Sequence, residues 1–202
     1  MLAGHERLIL IVNLLYIAVF TSMAWRRSNY EFVLYAGVVI IVVVTIVSLQ
    51  ARVRFARTIL WGLTAWGFLH MAGGNVRVGD GVLYEVMLLS LAPRYAILRY
   101  DQVTHLFGFG VATLVCHHLL RPHLREGVPG RVTLGALVVL MGSGVGAVNE
   151  ILEFTAVLLV PETGVGGYTN TLLDLVFNLG GGVLAVLWLY LAGSFGSRAR
   201  TP

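Results

Sequence analysis

Six side chains in this sequence are able to do chemistry together: His70, Asp101, His105, Glu150, Glu153 and Asp174. Imidazoles and carboxylates with no thiolate among them suit a hard-to-borderline divalent metal such as Zn, Mn or Fe. In that reading His70, His105, Glu150 and Asp174 are the metal ligands. Glu150, Glu153 and Asp101 are then the catalytic carboxylates, one glutamate serving as base beside the metal. The rival chemistry is a shared proton. Two glutamates one helical turn apart repel in a low-dielectric setting unless a cation, a proton or Arg99 lies between them.

The spacing groups these residues onto helix faces. Asp101 and His105 are i, i+4 in the run Arg99-Tyr100-Asp101-Gln102-Val103-Thr104-His105-Leu106-Phe107-Gly108-Phe109-Gly110, which continues as an apolar stretch to Leu120. Glu150 and Glu153 are i, i+3, and Asn170, Asp174 and Asn178 form an i, i+4, i+8 stripe. Residues three or four apart share a face, so each set points one way. A charged residue deep in a membrane span costs on the order of 3 kcal/mol and is by default a functional candidate. The plainer readings are that Asp101 caps its helix and pairs with Arg99, and that His105 alone is a satisfied interior histidine.

The elements that must position them are membrane helices. The chain has 202 residues, of which 57% are hydrophobic and 12% charged, and its mean hydropathy is +0.83. A soluble domain carries roughly twice that charged fraction. A span takes about 20 residues, so the length accommodates an all-α, polytopic bundle of about six helices as a single transmembrane domain. The apolar runs place the spans at about 8–25, 32–49, 59–72, 102–120, 132–160 and 170–192, with an interfacial helix over 84–91 closed by Pro93. Spans one and two read as lipid-facing scaffold, and Gly142, Gly144 and Gly146 as close-approach surface.

All 14 basic residues are arginine. No basic cluster is interleaved with exposed aromatics, which argues against nucleic acid. The lone Cys116 excludes an internal disulfide and a cysteine metal cage. The first apolar stretch is too long for a cleavable signal and runs straight into Arg26-Arg27. With the N-terminus cytoplasmic, nine arginines fall inside (7, 52, 54, 57, 121, 125, 131, 198, 200) and five outside (26, 27, 77, 94, 99). The positive-inside rule therefore places both termini in the cytoplasm of a multi-pass protein of the cell membrane.

That topology brings the end of span three, the start of span four, the outer part of span five and the start of span six to one level. Glu150 lies roughly 28 Å beyond Arg131 at 1.5 Å per residue. His70, Asp101, Glu150 and Asp174 are therefore expected to share one cavity near the extracytoplasmic interface.

Four motifs together resemble the YjdF-like inner-membrane proteins, an uncharacterised prokaryotic family. They are Tyr100-Asp101 with His105, His70 with Gly73, Glu150-x-x-Glu153-Phe154, and Asp174 with Asn178 and Gly181. The resemblance covers about residues 66 to 190. The last spans also faintly resemble VanZ-like membrane proteins. Neither likeness implies an established reaction.

Three function classes fit. A metal-dependent membrane enzyme would hydrolyse or modify a lipid, with Arg94, Arg99, Tyr100 and Asn178 binding the substrate. A cation- or proton-coupled transporter would use the same groups, although the sequence has no inverted repeat or pore-length polar stripe. An accessory protein would keep them as a structural network. The expected partners are membrane lipids.

Overall fold

The computed structural model describes residues 4–90, 95–124, 130–161 and 163–195. Among them the chain forms six long helices: α1 (Gly4–Arg26), α2 (Tyr30–Val53), α3 (Arg57–Asn75), α4 (Tyr100–Leu120), α5 (Arg131–Leu159) and α6 (Tyr168–Leu191). All but α3 are long and apolar enough to cross a membrane. Helix α3 falls short because it carries Arg57, Thr64, His70 and Asn75. Its 19 residues still reach roughly 28 Å, close to the hydrocarbon thickness of about 30 Å.

The burial pattern is that of a lipid-solvated bundle. Ile41, Val44, Leu140, Ile151, Leu158 and Val176 are exposed, while Asn13, Thr64, Gln102, His105, Glu150, Asp174 and Asn178 are buried. In hydrocarbon, polar side chains and backbone groups must find partners inside the protein, and aliphatic ones lose nothing by facing out. This is an all-α polytopic membrane protein.

Helix breaks are made locally. Asn29 caps α2 by accepting from the Phe32 N–H, and its amide reaches the Gly74 carbonyl of α3. Arg54, in the left-handed region at φ 51°, closes α2. Glycine sets the closest packing, which is between α4 and α6. A Cβ on Gly181 would run into the Leu106 carbonyl and the Gly110 backbone. On α5, Gly142 makes room for Thr113 and Gly146 for Asn178, whereas Gly144 faces open space. The expected close-approach surface is thus Gly142 and Gly146 without Gly144.

Between α3 and α4, Arg77–Val78 and Gly81–Val82 form a two-stranded antiparallel hairpin turned at Gly79 (φ 59°). A single 3-10 turn, Leu83–Glu85, follows. Where an interfacial helix over 84–91 is expected, the chain leaves the 3-10 turn at Val86 and continues without helix through Ser90. Met87 bridges Arg99, Leu88 N donates to the Leu98 carbonyl and Tyr100 N to that of Val86. Those cross-chain bonds supply the partners a helix would have found within itself. Leu91 and Pro93 lie outside the described residues.

The lead into α4 is held by Gln102, which is fully buried. Its Oε1 accepts from Leu98 N (2.6 Å) and Arg99 N (3.1 Å), and its amide donates to the Ala96 carbonyl (3.2 Å). Ala96 and Leu98 both have positive φ, which is uncommon for such residues. Gln102 secures that backbone, and so fixes where Asp101 and His105 begin.

Candidate metal centre

His105 is the hub. It is buried one turn into α4, and its ring is bounded by side chains from α4, α5 and α6. Nε2 lies 3.6 Å from Asp101 Oδ1 and 3.8 Å from Glu153 Oε1. Nδ1 lies 3.0 Å from Asn178 Oδ1 and 3.6 Å from Glu150 Oε1. Ligand atoms from Asp101, His105 and Asp174, and from His105, Glu150 and Glu153, fall within 4.8 Å of one another in each group.

Asn178 decides the tautomer. Its amide nitrogen is directed at Glu150 Oε1, 3.5 Å away, which an ionised carboxylate can only accept. Its carbonyl oxygen therefore faces His105, and Nδ1 must carry the hydrogen. That leaves Nε2 facing Asp101 and Glu153. A histidine held through one nitrogen and free at the other is how metal-ligating imidazoles are oriented.

Other amides position the carboxylates. Asn170 donates to Asp174 Oδ2 at 2.6 Å and to Asp101 Oδ2 at 3.3 Å, and Asn149 donates to Glu153 Oε1 at 2.8 Å. Two carboxylate oxygens remain buried without a hydrogen-bond partner, Glu150 Oε2 and Asp174 Oδ1. Asp174 has no exposed surface and Glu150 retains 9%. Unpaired buried carboxylate oxygens are costly. Among the described residues the cluster's close charge contacts all involve His105, and Arg99 lies near enough for its charge to act on Asp174.

The structure brings Asp101, His105, Glu150, Glu153 and Asp174 together, with Asn178 bridging two of them. Though within electrostatic reach of His105, His70 falls outside both groups of ligand atoms. Its Nδ1 meets the Tyr84 hydroxyl at 2.5 Å, and its ring packs among Phe32, Tyr35 and Tyr84. Burial, then the charges of Asp101 and Glu153, hold the Tyr84 phenol well above its ordinary range. Tyr84 is thus held as the neutral phenol, and its hydroxyl shares one hydrogen bond with His70 Nδ1. Tyr100 is pinned through its hydroxyl to the Leu69 carbonyl (3.2 Å), so it serves α3–α4 packing. Arg99 precedes α4 with its Nε buried and unpartnered. Arg94 lies outside the described residues.

Glu31 is the acidic residue the sequence reading passes over. It sits in the first turn of α2, is 6% exposed, and accepts from the Gly164 N–H at 2.6 Å. It lies within electrostatic reach of Asp101 and Glu153. Span two is therefore not pure scaffold. The available signal was a carboxylate two residues past Asn29, just inside an otherwise uninterrupted apolar run.

A family model described as "Predicted membrane protein (DUF2238)" matches residues 8–194. The chain belongs to this family. The match takes in α2 to α6 and all but the first four residues of α1, so the polar cluster lies within the DUF2238 region and not in an appended segment. No curated protein and no solved structure matches.

Proposed function

We propose that this DUF2238 protein binds one divalent transition metal at His105 and uses it for chemistry on a membrane lipid. The observation that supports the reading is the His105 ring: Nδ1 committed to Asn178, Nε2 directed at Asp101 and Glu153, and unpartnered buried oxygens on Glu150 and Asp174 beside it. Nε2 of His105 with the carboxylates of Asp101 and Glu153 is the first ligand set, and Asp174 and Glu150 are within reach of it. His70 is not a ligand in this reading. A bound Zn, Mn or Fe would act as a Lewis acid and lower the pKa of a bound water. Glu150, adjacent but not on the Nε2 side, is the base that would hold a proton from that water. Both termini are placed in the cytoplasm of a prokaryotic cell, as the arginine distribution and the YjdF-like resemblance suggest, so the centre faces the extracytoplasmic leaflet.

The competing proton-coupled reading predicts a different response. With a metal, adding Zn, Mn or Fe raises the melting temperature, since a ligand that binds only the folded state stabilises it. A chelator lowers it, and Glu153→Gln reduces both effects. With a shared proton, neither metal nor chelator changes the melting temperature, and Glu153→Gln is neutral or stabilising because it mimics the protonated acid.

A further inference from the structure

A long apolar groove runs beside the centre and ends at it. Its walls come from α1, α2 and α3, with Leu10, Val39, Val43, Ile46 and Leu63 along its length and Leu152 of α5 near one end. At that end stand His70, Asn149 and Glu153; at the other, Glu6 and Gln50. Gln50 donates to Glu6 Oε1 at 2.7 Å, so this far end is closed by a polar pair. The lining runs along α2 from Tyr35 to Gln50, a length of roughly 22 Å at 1.5 Å per residue. That exceeds one leaflet's share of a hydrocarbon core about 30 Å thick.

Asn13, Tyr16 and Thr64 in the groove are turned to one another, while the buried Tyr35 hydroxyl is not part of that set. Asn13 donates to Thr64 and to the Ile9 carbonyl, and Tyr16 donates to Asn13. What remains for an occupant is mainly aliphatic wall. Val42 and Val47 line the groove and are also exposed, so it opens sideways to the bilayer. Glu153 belongs to both places: it lines the groove and lies 3.8 Å from His105 Nε2.

We propose that this groove holds one acyl chain of a membrane phospholipid, with the headgroup placed at Glu153 beside the His105 centre. A hydrocarbon-walled slot within the membrane span takes a chain of the same chemistry as its surroundings. The polar mouth then fixes which end of the lipid meets the carboxylates. Headgroup chemistry at that position rests on the metal reading above; occupancy of the groove does not.

The full-length protein in vesicles containing a phospholipid with a diazirine on its acyl chain tests this by photolabelling and peptide mapping. Labels should concentrate on Val39, Val43 and Leu63, should be competed by excess unlabelled phospholipid, and should exceed those on outward-facing Ile41 and Val44 by about fivefold or more. Val43→Trp, which fills the groove, should reduce the groove labels about fivefold and leave Ile41 and Val44 labelled as before. Even labelling of groove and outward residues, or labelling indifferent to Val43→Trp, would mean surface lipid only and overturn the proposal. If Val43→Trp does not fold, the labelling ratio in the unsubstituted protein decides alone. Groove labelling in a protein that binds no metal would sink the metal reading and leave the groove standing; bound metal without groove labelling would do the reverse.

Discussion

Replacing Asn178 by Leu isolates the side chain on which the geometry of the centre turns. Leucine is close to asparagine in size but offers no polar atom. Two buried partners are then stranded, His105 Nδ1 at 3.0 Å and Glu150 Oε1 at 3.5 Å. Stranding a buried polar atom costs about 1–3 kcal/mol in soluble cores, and interhelical hydrogen bonds in membranes average about 0.6 kcal/mol. Two such losses come to about 1–6 kcal/mol. At about 2–4 °C per kcal/mol for a chain of this size, a drop of roughly 7–14 °C in detergent corresponds to the middle of that range. A second effect falls on the tautomer. Without Asn178 Oδ1, only Glu150 Oε1, 3.6 Å from Nδ1, is left to hold the hydrogen there, and on Nε2 it would point at Asp101 and Glu153, where a metal is proposed. Loss of such an orienting partner typically weakens metal affinity about 10–100-fold. Thermal unfolding and metal titration of Asn178→Leu, with exposed Val176→Leu as control, measure both. A variant that melts within 1 °C or so of the parent and binds metal equally well would refute the bridging role.

Other outcomes follow from the same geometry. Gly181→Ala should lower stability by about 1–3 kcal/mol, the usual cost of overpacking, because its Cβ meets the Leu106 carbonyl, while Gly144→Ala, in open space, should be neutral by thermal unfolding. Because Tyr84 is held neutral above its ordinary range, the unfolded chain ionises it first, so it contributes a loss of stability as pH rises above about 10, toward its folded value. Melting temperatures between about pH 9 and 11 should therefore fall less steeply in Tyr84→Phe than in the parent; an identical slope would contradict this. A cysteine at Asp80 should react with a membrane-impermeant maleimide in intact cells and one at Ser194 should not, and the reverse pattern would place the centre on the cytoplasmic side.

Much of the bundle is legible in the sequence because hydropathy and helical spacing are local properties. Asp101, His105, Glu150, Glu153 and Asp174 announce themselves as charges inside apolar runs, and the Asn170-Asp174-Asn178 stripe needs only a helix to point one way. What is hidden depends on contacts between segments far apart in the chain. His70 has the look of a ligand, yet its partner is Tyr84, delivered by a hairpin and a 3-10 turn that carry no strong periodicity. Glu31 sits in the first turn of a span, where a carboxylate is as readily read as a terminal charge. Its partner, the Gly164 N–H, lies 133 residues away. Gln102 shows its role only when the positive φ angles at Ala96 and Leu98 are known. Gly142, Gly144 and Gly146 of α5 look alike in sequence, but Thr113 and Asn178 face only two of these three.

The central claim is that His105 anchors a metal. Elemental analysis of the protein purified without chelator, set beside His105→Ala prepared identically, tests it most directly. The account predicts close to one Zn, Mn or Fe per chain in the unsubstituted protein and loss of that metal in His105→Ala. No stoichiometric transition metal in the unsubstituted protein, or equal metal in both, would contradict it.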